Sequence, residues 1–153
     1  MIVKRAYKYR IYPNREQRNF FARTFGCVRL FYNTSLDDMN KLYKEKKEYK
    51  DITPASYKEQ FPFFKDVDSL ALSNAQLNRN KGFKAFFRGQ NKFPKYKAKR
   101  NKQSYSTNNQ NGTVYLSEDC KYISLPKIKN VRIKMHRKFN GVIKTVTVSK
   151  ECD

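Results

Sequence analysis

The segment from residue 2 to about residue 12 alternates in polarity, and no comparable alternation follows until Val114. Tyr7, Tyr9 and Ile11 fall on one side and Lys8, Arg10 and Tyr12 on the other, the pattern of a strand with one buried face. A lone strand leaves a row of backbone donors and acceptors without partners, so this one has to find them far along the chain. The period-two segments available are Val114/Leu116, Ile123/Leu125, Val131/Ile133/Met135 and Val142/Val146/Val148, with Asn140-Gly141 as a hairpin signal. Everything between becomes an insertion. The expected fold is α+β: a small, partly open antiparallel β-barrel from residues 1–12 and 104–153, wedge-like, with residues 13–103 as a helical insertion between its first and second strands.

The insertion has its own punctuation. Asn14 is a good N-cap, and Gln17 stands at capping-box spacing before Phe20, Phe21 and Phe25. Gly26 reads as a turn leading to a longer second helix (Cys27, Leu30, Phe31, Thr34, Met39, Leu42, Tyr43), a helix-turn-helix outline. Thr53-Pro54 marks another helix start, Phe61-Pro62-Phe63-Phe64 interrupts, and Asp68 or Ser69 caps a third helix to about Arg88. Its apolar positions are Leu70, Leu77, Phe83, Phe86 and Phe87, with the small Ala71, Ala75 and Ala85. Gly82 within it costs about 1 kcal/mol against Ala, which predicts a close approach there. From Arg88 to Asn111 the periodicity disappears.

Charge says what the surface faces. The chain carries 34 Lys/Arg against 13 Asp/Glu over 153 residues, a net charge of +21. No acid occurs between Asp68 and Glu118, where ten Lys/Arg occur, nor between Asp119 and Glu151, where nine more do. Carboxylates repel phosphate, and each cation on a phosphate releases a counterion, so this distribution predicts a polyanion partner. Phe93 and Tyr96 interrupt the basic loop 88–102, which reads as a phosphate-tracking loop with a ring to stack on a base.

Other chemistries lack their parts. Cys27, Cys120 and Cys152 are far apart and the single histidine is His136, so neither a zinc site nor a Cys–His nucleophile is spelled out. Reduced thiols in a cytoplasmic protein are expected. Near Lys134 and Arg137, His136 reads as a phosphate neighbour. Asp37, Asp38, Glu45 and Glu48 sit among lysines at helical spacing, and Glu118, Asp119, Glu151 and Asp153 lie at a turn and the terminus. No catalytic residue, metal site or cofactor is expected. No apolar run suggests a membrane partner.

The order of motifs resembles a known family. Tyr7-Lys8-Tyr9-Arg10-Ile11-Tyr12-Pro13-Asn14 with Glu16-Gln17 is similar to the opening of insertion-sequence OrfB/TnpB proteins, and Gly26 to Asn33 continues the likeness. Further blocks are Phe64 to Ser69, Phe83 to Phe87, Phe93 to Lys97, Ser104 to Thr107, Ile123 to Ile128 and Ile143 to Ser149. Gly82 departs, standing where the family usually has an alanine-like residue. Those proteins were first called transposases and are now regarded as RNA-guided DNA nucleases. Their RuvC-like nuclease domain, with three metal-binding carboxylates and a four-cysteine zinc motif, follows the point where this sequence stops at Asp153. The resemblance thus implies a wedge-plus-recognition portion that contacts DNA and a guide-like RNA without cutting.

The phosphate contacts expected are Arg5, Lys8, Arg10, Lys84, Arg88, Lys92, Lys95, Lys97, Lys99 and Arg100, with Lys134 and Arg137 added on the C-terminal strands. Tyr96 and Tyr105 are the stacking candidates. The resemblance implies duplex-motif reading near Lys65, Ser69 and Thr107. Two rival readings stand beside this one: a ribosomal-type structural RNA-binding protein, and one half of a split nuclease completed by a separate RuvC-like chain.

Overall fold

A computed structural model describes residues 1–151; Cys152 and Asp153, two residues of the sequence argument, lie outside the described residues. The elements are β1 (Arg10–Tyr12), α1 (Arg15–Lys46), α2 (Ser69–Phe87), β2 (Gln103–Asn108), β3 (Tyr115–Leu116), β4 (Tyr122–Leu125), β5 (Ile128–Lys134) and β6 (Thr145–Lys150). Two short 3₁₀ helices, Pro54–Tyr57 and Pro62–Asp66, lie between α1 and α2. The fold is α+β, with the helices between the first and second strands.

The N-terminal strand finds its distant partner. Arg10, Ile11 and Tyr12 pair antiparallel with Lys134, Ile133 and Arg132 of β5. Only these three residues are strand, and residues 1–9 lie outside any element, although Tyr7 and Tyr9 keep the expected alternation of burial.

The barrel expectation is corrected. The strands form a four-stranded sheet in the order β1-β5-β4-β3 and a separate two-stranded sheet of β2 and β6, and neither closes. Because β5 and β6 belong to different sheets, Asn140-Gly141 is no hairpin turn between them, and Val142 lies exposed outside β6. Strand β2 was unforeseen because Gln-Ser-Tyr-Ser-Thr-Asn has no apolar run. Its alternation lies in Tyr105 and Thr107, both buried, and it pairs along its whole length with β6.

Helix α1 corrects the second expectation. It runs unbroken for 32 residues through Gly26, with no turn. Phe25, Cys27, Val28 and Phe31 are buried around the glycine, and that burial outweighs its helix cost of about 1 kcal/mol. Apart from the glycine itself, nothing in Arg-Thr-Phe-Gly-Cys-Val supplies turn chemistry. The N-terminal cap is as expected: Gln17 N–H donates to the Asn14 side chain and Asn14 N–H to the Gln17 side chain, each at 2.9 Å. The Gln17 amide also donates to the carbonyls of Lys129 (3.0 Å) and Asn130 (3.1 Å), fastening the helix start to β5.

Helix α2 starts on Asp68, whose Oδ1 accepts from Leu70 N–H at 2.9 Å. Its stripe differs from the one expected: Leu77, Phe86 and Phe87 are exposed, while Ala71, Leu72, Ala75, Arg79 and Phe83 are buried. Ala71, Ala75 and Phe83 lie inward as expected; the expectation missed Leu72 and Arg79, because an arginine does not count as apolar until a carboxylate meets it. At Thr53-Pro54 the backbone follows the expected start, but as a single 3₁₀ turn without a side-chain cap bond.

The main core joins Phe20, Phe21, Phe25 and Phe31 of α1 to Tyr105, Val131, Ile133 and Val148 of the strands. A smaller cluster, Tyr32, Leu36, Met39 and Phe83, holds the far half of α1 against α2.

Candidate nucleic-acid interface

The basic loop is a docked segment. Gly89 (φ +73°) ends α2 with its N–H on the Phe86 carbonyl at 3.0 Å, and the chain turns back over α1. There the Asn33 side chain takes both backbone groups of Lys97, donating to its carbonyl and accepting from its N–H, each at 2.8 Å. Tyr96 donates its phenol to Asp37 at 2.9 Å, and the Lys97 ammonium lies 4.4 Å from the centroid of Tyr32. Phe93 packs edge-on against Phe83 and Phe86, and Pro94 covers Gly82, where an added Cβ would stand 3.2 Å from the proline ring. The close approach predicted at that glycine is therefore made by Pro94.

Docking sorts the loop's cations. Lys97 is spent on Tyr32, and burial of its ammonium lowers its pKa from the ordinary lysine value. Lys92, Lys95, Lys99 and Arg100 project from the docked backbone, and Lys84 and Arg88 stand at the end of α2 beside them. All six are exposed and none forms an ion pair among the described residues.

The remaining predicted residues scatter. Lys8 pairs with Glu151 at 2.5 Å and Lys102 joins the same carboxylate at 3.3 Å; these hydrogen bonds, Lys8's first, hold Glu151 below its usual pKa. Arg5 is exposed in the leading segment. Arg10 and Lys134 face each other across β1 and β5, Arg137 lies over the Tyr7 ring at 5.5 Å, and His136 packs beside Tyr9. Lys65 and Ser69 are exposed at the 3₁₀ helix and the first turn of α2, and the Lys65 carbonyl accepts from the Lys127 ammonium.

Two candidates are corrected. Tyr105 is 3% exposed, wedged against Phe21 and Phe25, and has no face to offer a base. Burial pushes its phenol pKa up, and its hydroxyl has no hydrogen-bond partner in the described structure. Thr107 is fully buried, donating to the Asp68 Oδ2, so it ties β2 to the cap of α2 and reads no duplex. Both sit on the inward positions of the strand that the sequence pattern concealed.

A cation from the acid-free stretch is also internal. Arg79 is 0% exposed; its guanidinium pairs with Asp51 at 2.5 Å, donates to the Ile52 carbonyl at 2.9 Å and lies over the Phe31 ring. Burial lowers its pKa, and the Asp51 charge opposes that shift. Sequence reasoning missed Asn33 altogether, although an asparagine inside a helix is itself a signal, since its side chain competes for backbone groups.

Comparison with known proteins shows what the chain is similar to. The helix-turn-helix domain of insertion-sequence OrfB proteins matches residues 1–48. A Streptomyces pristinaespiralis protein named "Putative RNA-guided DNA endonuclease" is 36% identical over 105 residues, covering 64% of this chain and 26% of that relative. The chain is similar to the N-terminal portion of OrfB/TnpB-type proteins. An Escherichia coli K12 protein of the same name, with the suffix InsQ, is 28% identical over 160 residues, covering 96% of this chain and 38% of that relative. The chain thus spans well under half the length of either relative. The domain's name describes two helices and a turn, whereas residues 15–46 here are one helix. Among the described residues no group of three or more His, Cys, Asp or Glu converges, and no helix is long and apolar enough to cross a membrane.

Proposed function

We propose that this OrfB/TnpB portion binds nucleic acid, using the docked basic loop and the end of α2 as a phosphate-contacting surface. One observation carries the reading: Lys84, Arg88, Lys92, Lys95, Lys99 and Arg100 are displayed from a pinned backbone without ion pairs among the described residues. A surface built only for solubility would intersperse both signs. The nearby acids are instead turned to internal work: Asp37 holds Tyr96 and Lys41, Asp38 accepts from Tyr57, Asp51 holds Arg79, and Asp68 caps α2. Tyr96 keeps an exposed ring beside Lys95, a geometry suited to stacking on an unpaired base.

The names of the relatives support DNA and a guide-like RNA as ligands, the matched insertion-sequence OrfB domain supports a transposon-related role, and a cytoplasmic location is part of the proposal. In this proposal residues 1–12 with 104–153 form a wedge-like unit, residues 13–103 a recognition unit, and exposed Lys65 and Ser69 stand where a short duplex motif is read. Cleavage is assigned elsewhere, to a RuvC-like nuclease segment or a separate chain. Glu118 and Asp119 occupy a turn in which Ser117 and the Lys121 N–H hold Asp119 and lower its pKa, an arrangement that serves the turn.

The test is a salt titration of affinity for a short DNA duplex and for a single-stranded RNA, with Mg²⁺ present in a parallel incubation. Six to ten phosphate contacts give a loss of roughly 10³- to 10⁵-fold between 50 and 200 mM salt. A flat titration overturns the reading, and Mg²⁺-dependent cleavage abolished by Glu118→Gln or Asp119→Asn overturns the assignment of catalysis elsewhere. Random RNA displacing every duplex at equal potency favours the ribosomal-type alternative.

A further inference from the structure

The register of the four-stranded sheet brings together a second surface, remote in sequence from the basic loop. Antiparallel partners point to the same face, so Tyr12 of β1, Arg132 of β5 and Tyr122 of β4 form one row across three strands. Lys134 stands two residues along β5 on that side, and Tyr115 of β3, opposite Ser124, extends it beyond Tyr122. The opposite face carries Ile11, Ile133, Val131 and Ile123 into the core, which leaves these side chains outside. Tyr12, Tyr115 and Tyr122 are 45%, 47% and 41% exposed, the three most exposed side chains of their kind on any strand.

Their surroundings are unlike those of the core aromatics. No other ring stacks on any of the three among the described residues; the Arg10 guanidinium lies 5.5 Å from the centroid of Tyr12, which leaves the ring's other face for a base, and Arg132 forms no ion pair there. None of the residues at these register positions is acidic. Rings separated by one intervening strand stand roughly 10 Å apart, with a guanidinium between them. The geometry points to a stacking platform for single-stranded nucleic acid: bases lie on Tyr12 and Tyr122, and Arg132 and Lys134 take the backbone between. This rests on the nucleic-acid reading above and adds a site and a substrate class to it. A duplex is the wrong occupant, because paired bases keep their faces inside the stack and present only phosphates. A single strand offers both π-faces and charge, the two things this row holds.

The experiment measures affinity of the full chain for a U12 RNA, a dT12 DNA and a 12-base-pair duplex, comparing wild type with the double variant Tyr12→Leu/Tyr122→Leu. Stacking predicts a loss of at least roughly 5-fold per ring on the single strands, with duplex affinity and salt slope unchanged within 2-fold. Loss on both single strands identifies a shared base-stacking site, and loss on RNA alone identifies a ribose-reading strand; either supports the platform. Tyr12→Phe/Tyr122→Phe keeps the rings and is expected to bind like wild type, which separates stacking from any folding defect of the leucine pair. Arg132→Gln should lower the single-strand salt slope by about one. Unchanged single-strand affinity in the leucine variant, equal losses on duplex and single strand, or loss in the phenylalanine variant overturns the platform. The nucleic-acid reading itself fails only if wild type shows no salt-dependent binding.

Discussion

The junction where α2 meets Asp51 and β2, and the basic loop that follows the same helix, draw cations from one acid-free stretch and use them oppositely. At the junction Arg79 is enclosed, paired with Asp51 and held over Phe31. In the loop Lys92, Lys95, Lys99 and Arg100 project outward, without ion pairs among the described residues. What separates them is the carboxylate that folding delivers. Asp51 lies 28 residues before Arg79, whereas the acids that reach the loop, Asp37 at Tyr96 and Glu151 at Lys102, pair with none of those four cations among the described residues. Depletion of acids along a sequence therefore marks a surface only where the folded chain imports none from elsewhere.

The largest effect should come from the junction. Arg79→Ala leaves Asp51 and the Ile52 carbonyl without their partner and opens a cavity under Phe31, and is expected to cost about 3 kcal/mol, the low end for a buried pair because Asp51 is half exposed. Urea denaturation checks this, and a cost below about 1 kcal/mol would put Arg79 with the loop cations.

Asp68→Ala comes next. It removes the cap of α2 and strands the buried Thr107 hydroxyl, an expected loss of about 2 kcal/mol by the same measurement. Nucleic-acid affinity of the folded fraction should not change. A selective loss of duplex affinity would return Thr107 to the interface.

Asn33→Ala tests the pin. Losing both Lys97 backbone bonds should cost about 1 kcal/mol and expose the loop to trypsin at Lys95 and Lys99 while the rest stays protected. Affinity for duplex should fall, because the cations are no longer held in one arrangement. Unaltered proteolysis would show that Phe93 and Pro94 suffice to dock the loop.

The smallest effect is expected at Tyr105. Its hydroxyl has no partner in the described structure, so Tyr105→Phe removes a desolvated polar group and should change stability by less than about 0.5 kcal/mol, in the stabilising direction. Single-strand binding should be untouched, in contrast to the loss expected for Tyr12→Leu/Tyr122→Leu. A clear loss of stability would show that the phenol is hydrogen-bonded in solution.

Local chemistry was legible in the sequence wherever the cause and the effect lie within a few residues. The Asn14/Gln17 capping box and the Asp68 cap follow from side chains next to the backbone they govern, and Gly82 announced a close approach without naming Pro94 as the group that makes it. The alternation at Tyr7 to Tyr12 also announced a strand that needed a distant partner, and β5 is that partner. What the sequence withheld were choices made by burial across long separations. Gly26 signals a turn locally, yet it stays helical because packing on both sides of it outweighs a cost of about 1 kcal/mol. A polar hexapeptide becomes strand β2 because β6 completes its hydrogen bonds and α2 receives its Asn74-facing edge. The division of strands into two open sheets, and of cations into structural and displayed, depends on which groups meet in three dimensions. Neither periodicity nor charge counting contains that information, since both average over residues whose environments the fold makes different.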